Sequence, residues 1–290
     1  MPYELGVLGG GAKREIKSIR TLSDDEFRAY QDAISHLSDF SSDQQRYTIT
    51  LLNYENFLNV IIRYSNEYKK NPAMVNYPIL EKVLLDINRH LINYLFSVRA
   101  FLDHTEYKLI KTYGGDSAKA RNFKTACSLE YDNNFAYRFL YRLRNYSQHC
   151  ALPISELKFT SKEEPSFSGN IVSMLILKFN RNTLLSYNGW GSTVEREIRA
   201  LPEEFNVVPL VASFWKSLEA INQTLINDNL AELVQSAQYV EKLINEAKGK
   251  DGTPIIFTIT RNNKISNFNI LNIPFHLIEY VKALEGKSSA

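Results

Sequence analysis

The sequence predicts an α+β fold that is predominantly α: an antiparallel helical bundle followed by a mixed region of short antiparallel strands and helices. Three observations carry this. Long stretches before residue 153 place apolar residues at helical spacing. The breaks between them are short, which suits antiparallel neighbours in a bundle. After Pro153 the apolar residues alternate or cluster in runs of strand length. The chain is read as three segments: 1–43, an N-terminal arm and short helix; 44–153, the bundle; and 154–290, the α+β region.

The first twenty residues are glycine-rich and read as a flexible arm or turn that includes at most a short strand. The stretch 5–13 ends in Lys13 but lacks the Gly-x4-Gly-Lys-Ser/Thr spacing of a phosphate-binding loop. Ser23 and Glu26 have the spacing of a capping box, so a helix starts there and runs to about residue 37. Ser38, Asp39, Ser41, Ser42 and Asp43 form a polar break. A second helix covers 44–70, with Phe57, Leu58, Ile61 and Ile62 on its apolar face, and Asn71-Pro72 ends it. The longest helix covers 78–113. Pro78 is acceptable in its first turn, and Gly114-Gly115 stops it. Its polar face carries Arg89, His90, Asn93, Arg99, Asp103 and His104. Asp116 is the expected cap of a helix over 117–129. Asn133 or Asn134 caps the next, over 133–152, which must end before Pro153.

Beyond Pro153 the pattern predicts strands at 156–160, 171–179 and 183–187, with a polar loop at 161–169. A short helix at 193–200 follows Asn188-Gly189-Trp190-Gly191-Ser192. Trp190 is expected to close the sheet onto a helix; stacking on a nucleobase is the alternative. Two amphipathic helices follow at 207–226 and 228–248. A hairpin joins 255–260 to 264–270 over Asn262-Asn263. A last helix covers 274–284, and 286–290 reads as a disordered tail.

Composition narrows the function classes. With 44% hydrophobic and 23% charged residues, the 290-residue chain belongs with soluble globular proteins. A net charge of +2 excludes a uniformly basic surface, so any affinity for nucleic acid must come from a local patch. Cys127 and Cys150 give neither a disulfide framework nor a zinc pattern, and a reduced, cytoplasmic protein is expected. No apolar run has the length of a membrane span, and the N-terminus has no signal-peptide pattern, so no membrane partner is expected.

Reactive groups concentrate at Arg144-Asn145-Tyr146-Ser147-Gln148-His149. Phe135, Phe139, Leu143 and Tyr146 form the apolar stripe of this helix. Arg138, Arg142, Asn145 and His149 share another face, at spacings of four, three and four. No acidic residue occurs between positions 133 and 155, so the three arginines are not neutralised locally. Arginine can hold a phosphate through two parallel hydrogen bonds. Histidine can move a proton near neutral pH.

The spacing of Arg144, Asn145 and His149 resembles the Arg-x4–6-His signature of the HEPN superfamily (higher eukaryotes and prokaryotes nucleotide-binding domains), in which the arginine is commonly followed by a polar residue, often asparagine. The resemblance covers the motif and, more loosely, the helices from about residue 46 to 153. It implies a HEPN-like antiparallel bundle and a metal-independent endoribonuclease that works without a cofactor. It also implies a homodimer in which two motifs form one composite cleft, in a toxin–antitoxin or anti-phage role. On this resemblance Arg144 binds the scissile phosphate and Asn145 orients it. His149 acts as general acid or base while the RNA 2′-hydroxyl attacks. Arg142, Arg138 and Gln148 are expected to bind substrate, and Arg99, Asp103 and His104 to support the cleft from a neighbouring helix. The expected partners are RNA, a second copy of the chain, and a protein antitoxin or regulator. The C-terminal region is expected to provide substrate binding, regulation or partner contact.

Two other pairs fit the spacing: Arg99 with His104 and Arg142 with His149. Arg144 is preferred because asparagine follows it alone. On a straight helix Arg144 and His149 lie about 140° apart around the axis and about 7.5 Å apart along it, and Arg142 shares the His149 face more naturally. A terminal histidine beside the last carbonyls is also favourable as a helix end alone. The rival readings are a non-catalytic dimeric scaffold with a HEPN-like bundle and a nucleotide-binding regulator that does not cleave. His36 and His276 read as isolated surface or core residues. Asp24-Asp25-Glu26 and Glu203-Glu204 read as solvated helix starts.

Overall fold

The computed structural model describes residues 2–10, 15–163, 171–262 and 265–288. The chain opens with two strands, β1 (Glu4–Leu8) and β2 (Ile16–Thr21), where the sequence predicts an arm. Leu5 and Val7 are buried. Between them Gly6 meets the neighbouring strand so closely that a Cβ would stand 2.6 Å from the Lys17 carbonyl oxygen. Residues 11–14 of the glycine-rich stretch lie outside the described residues.

Helix α1 (Asp24–Lys70) starts at the expected capping box. The Ser23 N–H donates to Glu26 Oε2 at 2.8 Å, and the Glu26 N–H donates to Ser23 Oγ at 3.2 Å. The predicted break at 38–43 does not occur. The stretch has no glycine or proline, and Phe40 and Gln44 are buried, so packing outweighs the weak helix propensity of its serines and aspartates. After a short 3-10 turn, α2 (Tyr77–Tyr113) begins at Asn76, which accepts the Ile79 N–H at 3.1 Å. It ends at Gly114, whose φ of 87° suits glycine. Ser117, not Asp116, caps α3 (Ala118–Asn133), and Asn134 caps α4 (Phe135–His149).

Strand β3 (Glu156–Glu163) pairs antiparallel with β4 (Ile171–Asn180); most of the predicted loop between them, 164–170, lies outside the described residues. The predicted strand at 183–187 is replaced by one helical turn, α5 (Arg181–Leu184). Asn180 accepts the Thr183 N–H at 3.0 Å and so turns the backbone into that helix. After α6 (Ser192–Ala200), the sheet is completed by β5 (Glu204–Asn206) on the free side of β4. Helix α7 (Val207–Glu246) is continuous where two helices are predicted. No glycine or proline interrupts 226–229, and Pro209 falls in the first turn, where its missing N–H costs nothing. β6 (Thr253–Asn262) and β7 (Ile265–Asn272) form the expected hairpin, although residues 263–264 lie outside the described residues. Helix α8 (Phe275–Ser288) continues through residues predicted as tail.

The fold is α+β and mostly α, as the sequence predicts. No helix among the described residues is long and apolar enough to cross a membrane. The chain divides into two compact units: Met1–Gln44 with Ile226–Ala290, and Gln45–Leu225. In the first, the sheet order β2-β1-β6-β7 joins the two chain ends. Its core contains Leu5, Phe27, Leu37, Leu233, Val240 and Ile256. Arg20 ties this unit together, donating to Glu246 at 2.6 and 3.1 Å and to Glu26 at 3.0 Å. In the second unit α2, α3 and α4 pack together. Trp190 is buried there and stacks on Phe139, while its Nε1 donates to the Leu184 carbonyl at 2.7 Å. Phe139 also meets Phe179 of β4 edge to face, so the sheet packs on α4 through Phe139, the ring on which Trp190 stacks.

The Arg20 cluster makes stability depend on acid. The hydrogen bond from Arg20, helped by the Ser23 N–H, holds the Glu26 carboxyl at about 2, and Arg20 likewise holds Glu246 below the ordinary 4.5. Both carboxyls are depressed on folding, so their contribution is present above about pH 4.5 and is lost as the pH falls towards 2. Urea unfolding of the wild type should therefore weaken steeply across that window. Arg20→Gln should lower the midpoint at pH 7 and flatten the acid dependence; an unchanged slope would refute the assignment.

Candidate functional site

Asparagine side chains fix α4 at both ends. At its start, Asn134 Oδ1 accepts the Ala136 N–H at 2.9 Å, and Nδ2 donates to Ser217 Oγ at 2.8 Å and Ser213 Oγ at 3.2 Å on α7. Beyond its end, Asn88 of α2 pairs with the backbone of Ile154. Asn88 Oδ1 accepts the Ile154 N–H at 2.9 Å, and Nδ2 donates to the Ile154 carbonyl at 2.9 Å and to the Leu84 carbonyl at 2.9 Å. Asn88 and Ile154 are both inaccessible to water. Sequence reasoning missed Asn88. The available signal was a lone amide between Ile87 and Leu91 on an otherwise apolar face.

The apolar stripe of α4 packs as predicted. Phe139, Leu143 and Tyr146 are buried, and Tyr146 stacks on Trp190 with ring centroids 5.7 Å apart. The arginines differ in their partners. Arg138 is buried and forms a two-pronged ion pair with Glu197 of α6, at 3.2 and 2.5 Å, while Nη1 donates to the Tyr131 carbonyl. Its guanidinium is thus committed within the protein and holds α6 and the end of α3 to α4, where the sequence reading gives it to substrate. Arg142 reaches Gly191, at the start of α6, and its Nε is buried without a hydrogen-bond partner.

Arg144 is held by neutral groups. Its Nη1 donates to Asn145 Oδ1 at 3.2 Å and to Gln148 Oε1 at 2.5 Å. Its guanidinium carbon lies 4.6 Å over the ring of Phe96 on α2. The structure therefore brings Arg144, Asn145 and Gln148 together. His149 is exposed at the last residue of the helix. Among the described residues no hydrogen bond joins it to Arg144, in keeping with their separation around the helix.

The supporting residues are only partly brought to the site. Arg99 pairs with Asp103 at 2.8 Å and lies 4.5 Å over Tyr141 of α4. The contacts of Asn88 with Ile154, Phe96 with Arg144, and Arg99 with Tyr141 run in opposite senses along the two helices. Helices α2 and α4 are therefore antiparallel, and Asp103 and His104 lie towards the start of α4, away from His149. Phe96 was missed by sequence reasoning. It belongs to an exposed series on α2, Leu85, Phe96 and Tyr107, whose eleven-residue spacing keeps one helical face.

A polar network on α2 ties it to α1. Asp86 accepts from Arg63 at 2.6 Å, Tyr64 at 3.0 Å and Arg89 at 2.6 Å. Arg89 also donates to His90 Nε2 at 2.8 Å. Burial, reinforced by the Arg89 charge, lowers the pKa of His90 and favours its neutral, accepting form. Both cysteines are free thiols; Cys127 is half-buried and Cys150 exposed. His36 bonds to Ser236 at 3.1 Å, and His276 is exposed.

Comparison of the chain with protein-family models, with curated proteins and with solved structures returned no match.

The pinning of the α4 exit has a measurable cost. Asn88→Ala removes three hydrogen bonds, two of them buried, and leaves the Ile154 N–H and carbonyl unsatisfied. Chemical denaturation should show a loss of about 3 kcal/mol. A loss of under about 1 kcal/mol would mean that the exit is held by packing alone.

Proposed function

We propose that this chain is a HEPN-like, metal-independent endoribonuclease that acts as a homodimer in a toxin or anti-phage role. The observation that carries the reading is the state of Arg144. Among the described residues its partners are two amide oxygens and an aromatic face, so it is oriented without being neutralised, five residues before an exposed histidine. An oriented, unneutralised arginine suits a phosphodiester better than a structural ion pair.

In the proposed reaction the RNA 2′-oxygen attacks its own phosphorus and the P–O5′ bond breaks. The products are a 2′,3′-cyclic phosphate and a free 5′-hydroxyl. One proton leaves the 2′-hydroxyl and one reaches the departing 5′-oxygen. His149 serves as general acid or base, and His149 of a second copy serves the complementary role. Arg144 holds the non-bridging oxygens, and Asn145 and Gln148 keep it aimed. Arg142 adds positive charge beside the start of α6. The half-exposed apolar residues Leu85, Phe96 and Leu152 on α2 and beyond α4 offer the surface that a second copy would cover. The same residues favour the second reading, a dimeric scaffold without catalysis.

Cleavage of total RNA by the purified protein in EDTA, followed beside its oligomeric state, tests this. His149→Ala and Arg144→Ala should each lower the rate by about 100-fold or more with folding intact. Arg142→Ala should cost about tenfold, the scale of one phosphate contact beside the reacting group. Equal cleavage by wild type and His149→Ala would end the nuclease reading. A stable dimer that neither binds nor cleaves RNA would favour the scaffold.

A further inference from the structure

Helices α2, α3 and α4 line an open cavity of about 300 Å³ against the first half of α4. Its walls are aromatic. Tyr137 and Tyr141 lie nearly parallel, with centroids 6.1 Å apart and planes at 17°. Tyr131 stands edge-on to Tyr141, at 6.4 Å and 88°. Phe123 and Leu102, both buried, close the floor. Three carboxylates, Asp103, Glu106 and Asp132, line it as well, with the ammonium of Lys124; Asp103 is paired with Arg99, which leaves Glu106 and Asp132 to give the mouth its negative charge. All three acids are exposed, so they form its mouth. The interior carries no charge of its own: burial pushes the Cys127 thiol up to about 12, and the thiol is hydrogen-bonded to the Tyr137 hydroxyl.

We infer that this cavity binds a small organic cation, an ammonium or quaternary ammonium head on a compact apolar body. Tyrosine faces attract cations, and the attraction strengthens where water is excluded. The carboxylates at the mouth draw in the same charge and reject anions. The chain already contains a small-scale version of this recognition. The Arg99 guanidinium lies 4.5 Å over Tyr141 while its Nε stands 2.8 Å from Asp103, so one ring and one acid of this set bind a cation within the protein. The volume is at the lower limit for ligand pockets, which selects a compact head group. This inference is independent of the nuclease reading, since RNA is repelled by these acids.

Calorimetric titration with choline and with its uncharged carbon isostere, dimethylbutanol, tests the inference. Choline should bind saturably, and the isostere about tenfold or more weakly. Tyr141→Leu should weaken choline by a similar factor. The double variant Glu106→Gln, Asp132→Asn should weaken choline and leave the isostere unchanged, with circular dichroism confirming the fold. Equal affinity of the two probes would make the cavity a simple apolar hole and overturn the inference. Absence of saturable choline binding by folded wild type at millimolar concentration would overturn it equally.

Discussion

The side chain of Asn88 decides where the helices give way to the sheet. Its amide presents one acceptor and two donors in the plane of a peptide, and Ile154 meets it as a neighbouring strand would. The segment 150–154 leaves a helix through a proline and is buried at Ile154, where backbone groups have no water to bond. An apolar residue at position 88 could fill the same space but would leave two peptide groups unpaired. That requirement specifies one register of α4 against α2 and so sets Arg144 over Phe96. Asn134 does the same for the start of the helix through Ser213 and Ser217. A helix of fifteen residues fixed at both ends by amides has little freedom to slide or rotate.

Given that placement, the fate of each arginine on α4 depends on what faces it. Arg138 meets Glu197, and the two charges cancel inside the protein. Among the described residues Arg144 meets dipoles and a ring, which orient a charge without neutralising it. This division matters because the whole chain has a net charge of +2 and no general excess to attract a polyanion. An anionic ligand must therefore be attracted by a local patch, and the end of α4 holds an arginine with neutral partners.

Features written in neighbouring residues were legible in the sequence. The Ser23–Glu26 capping box, the stop at Gly114, the hairpin of β6 and β7 and the packing of Trp190 on a helix all rest on local chemistry or on one unmistakable side chain. What was lost depends on distant partners. Strand β1 is five residues long beside three glycines, and its neighbour β6 comes from the other end of the chain. The unbroken α1 and α7 were read as pairs because polar runs resemble breaks when the burial of Phe40 or Asn229 is unseen. At the site, the Arg144-to-His149 motif was legible as a cationic helix end. The commitment of Arg138 was not, because Glu197 lies 59 residues on and approaches only through α6. Asn88 was hidden for the same reason: its partner is 66 residues away.

One helix thus presents opposite chemistry at its two ends. Its first half contributes Tyr137 and Tyr141 to a cavity with an acidic mouth, and its last turn ends in an arginine and a histidine. Tyr141 and His149 are eight residues apart, about 12 Å along the axis. That exceeds the Debye length of about 8 Å at physiological ionic strength, so solvent-exposed charges at the two ends are largely screened from each other. Arg144 itself is only three residues from Tyr141, about 4.5 Å along the axis and inside that length, so an anion there and a cation in the aromatic cavity would already feel each other in cellular salt. At an ionic strength of about 0.01 M the screening length grows to about 30 Å, and the ends must couple. A bound cation would offset the acids that repel the RNA backbone, so each ligand would favour the other. Linkage requires that effect to be equal in both directions. Cooperativity that grows as the salt falls is therefore the signature of one helix with two electrostatic ends, whereas cooperativity that does not change with salt would require a conformational change between them.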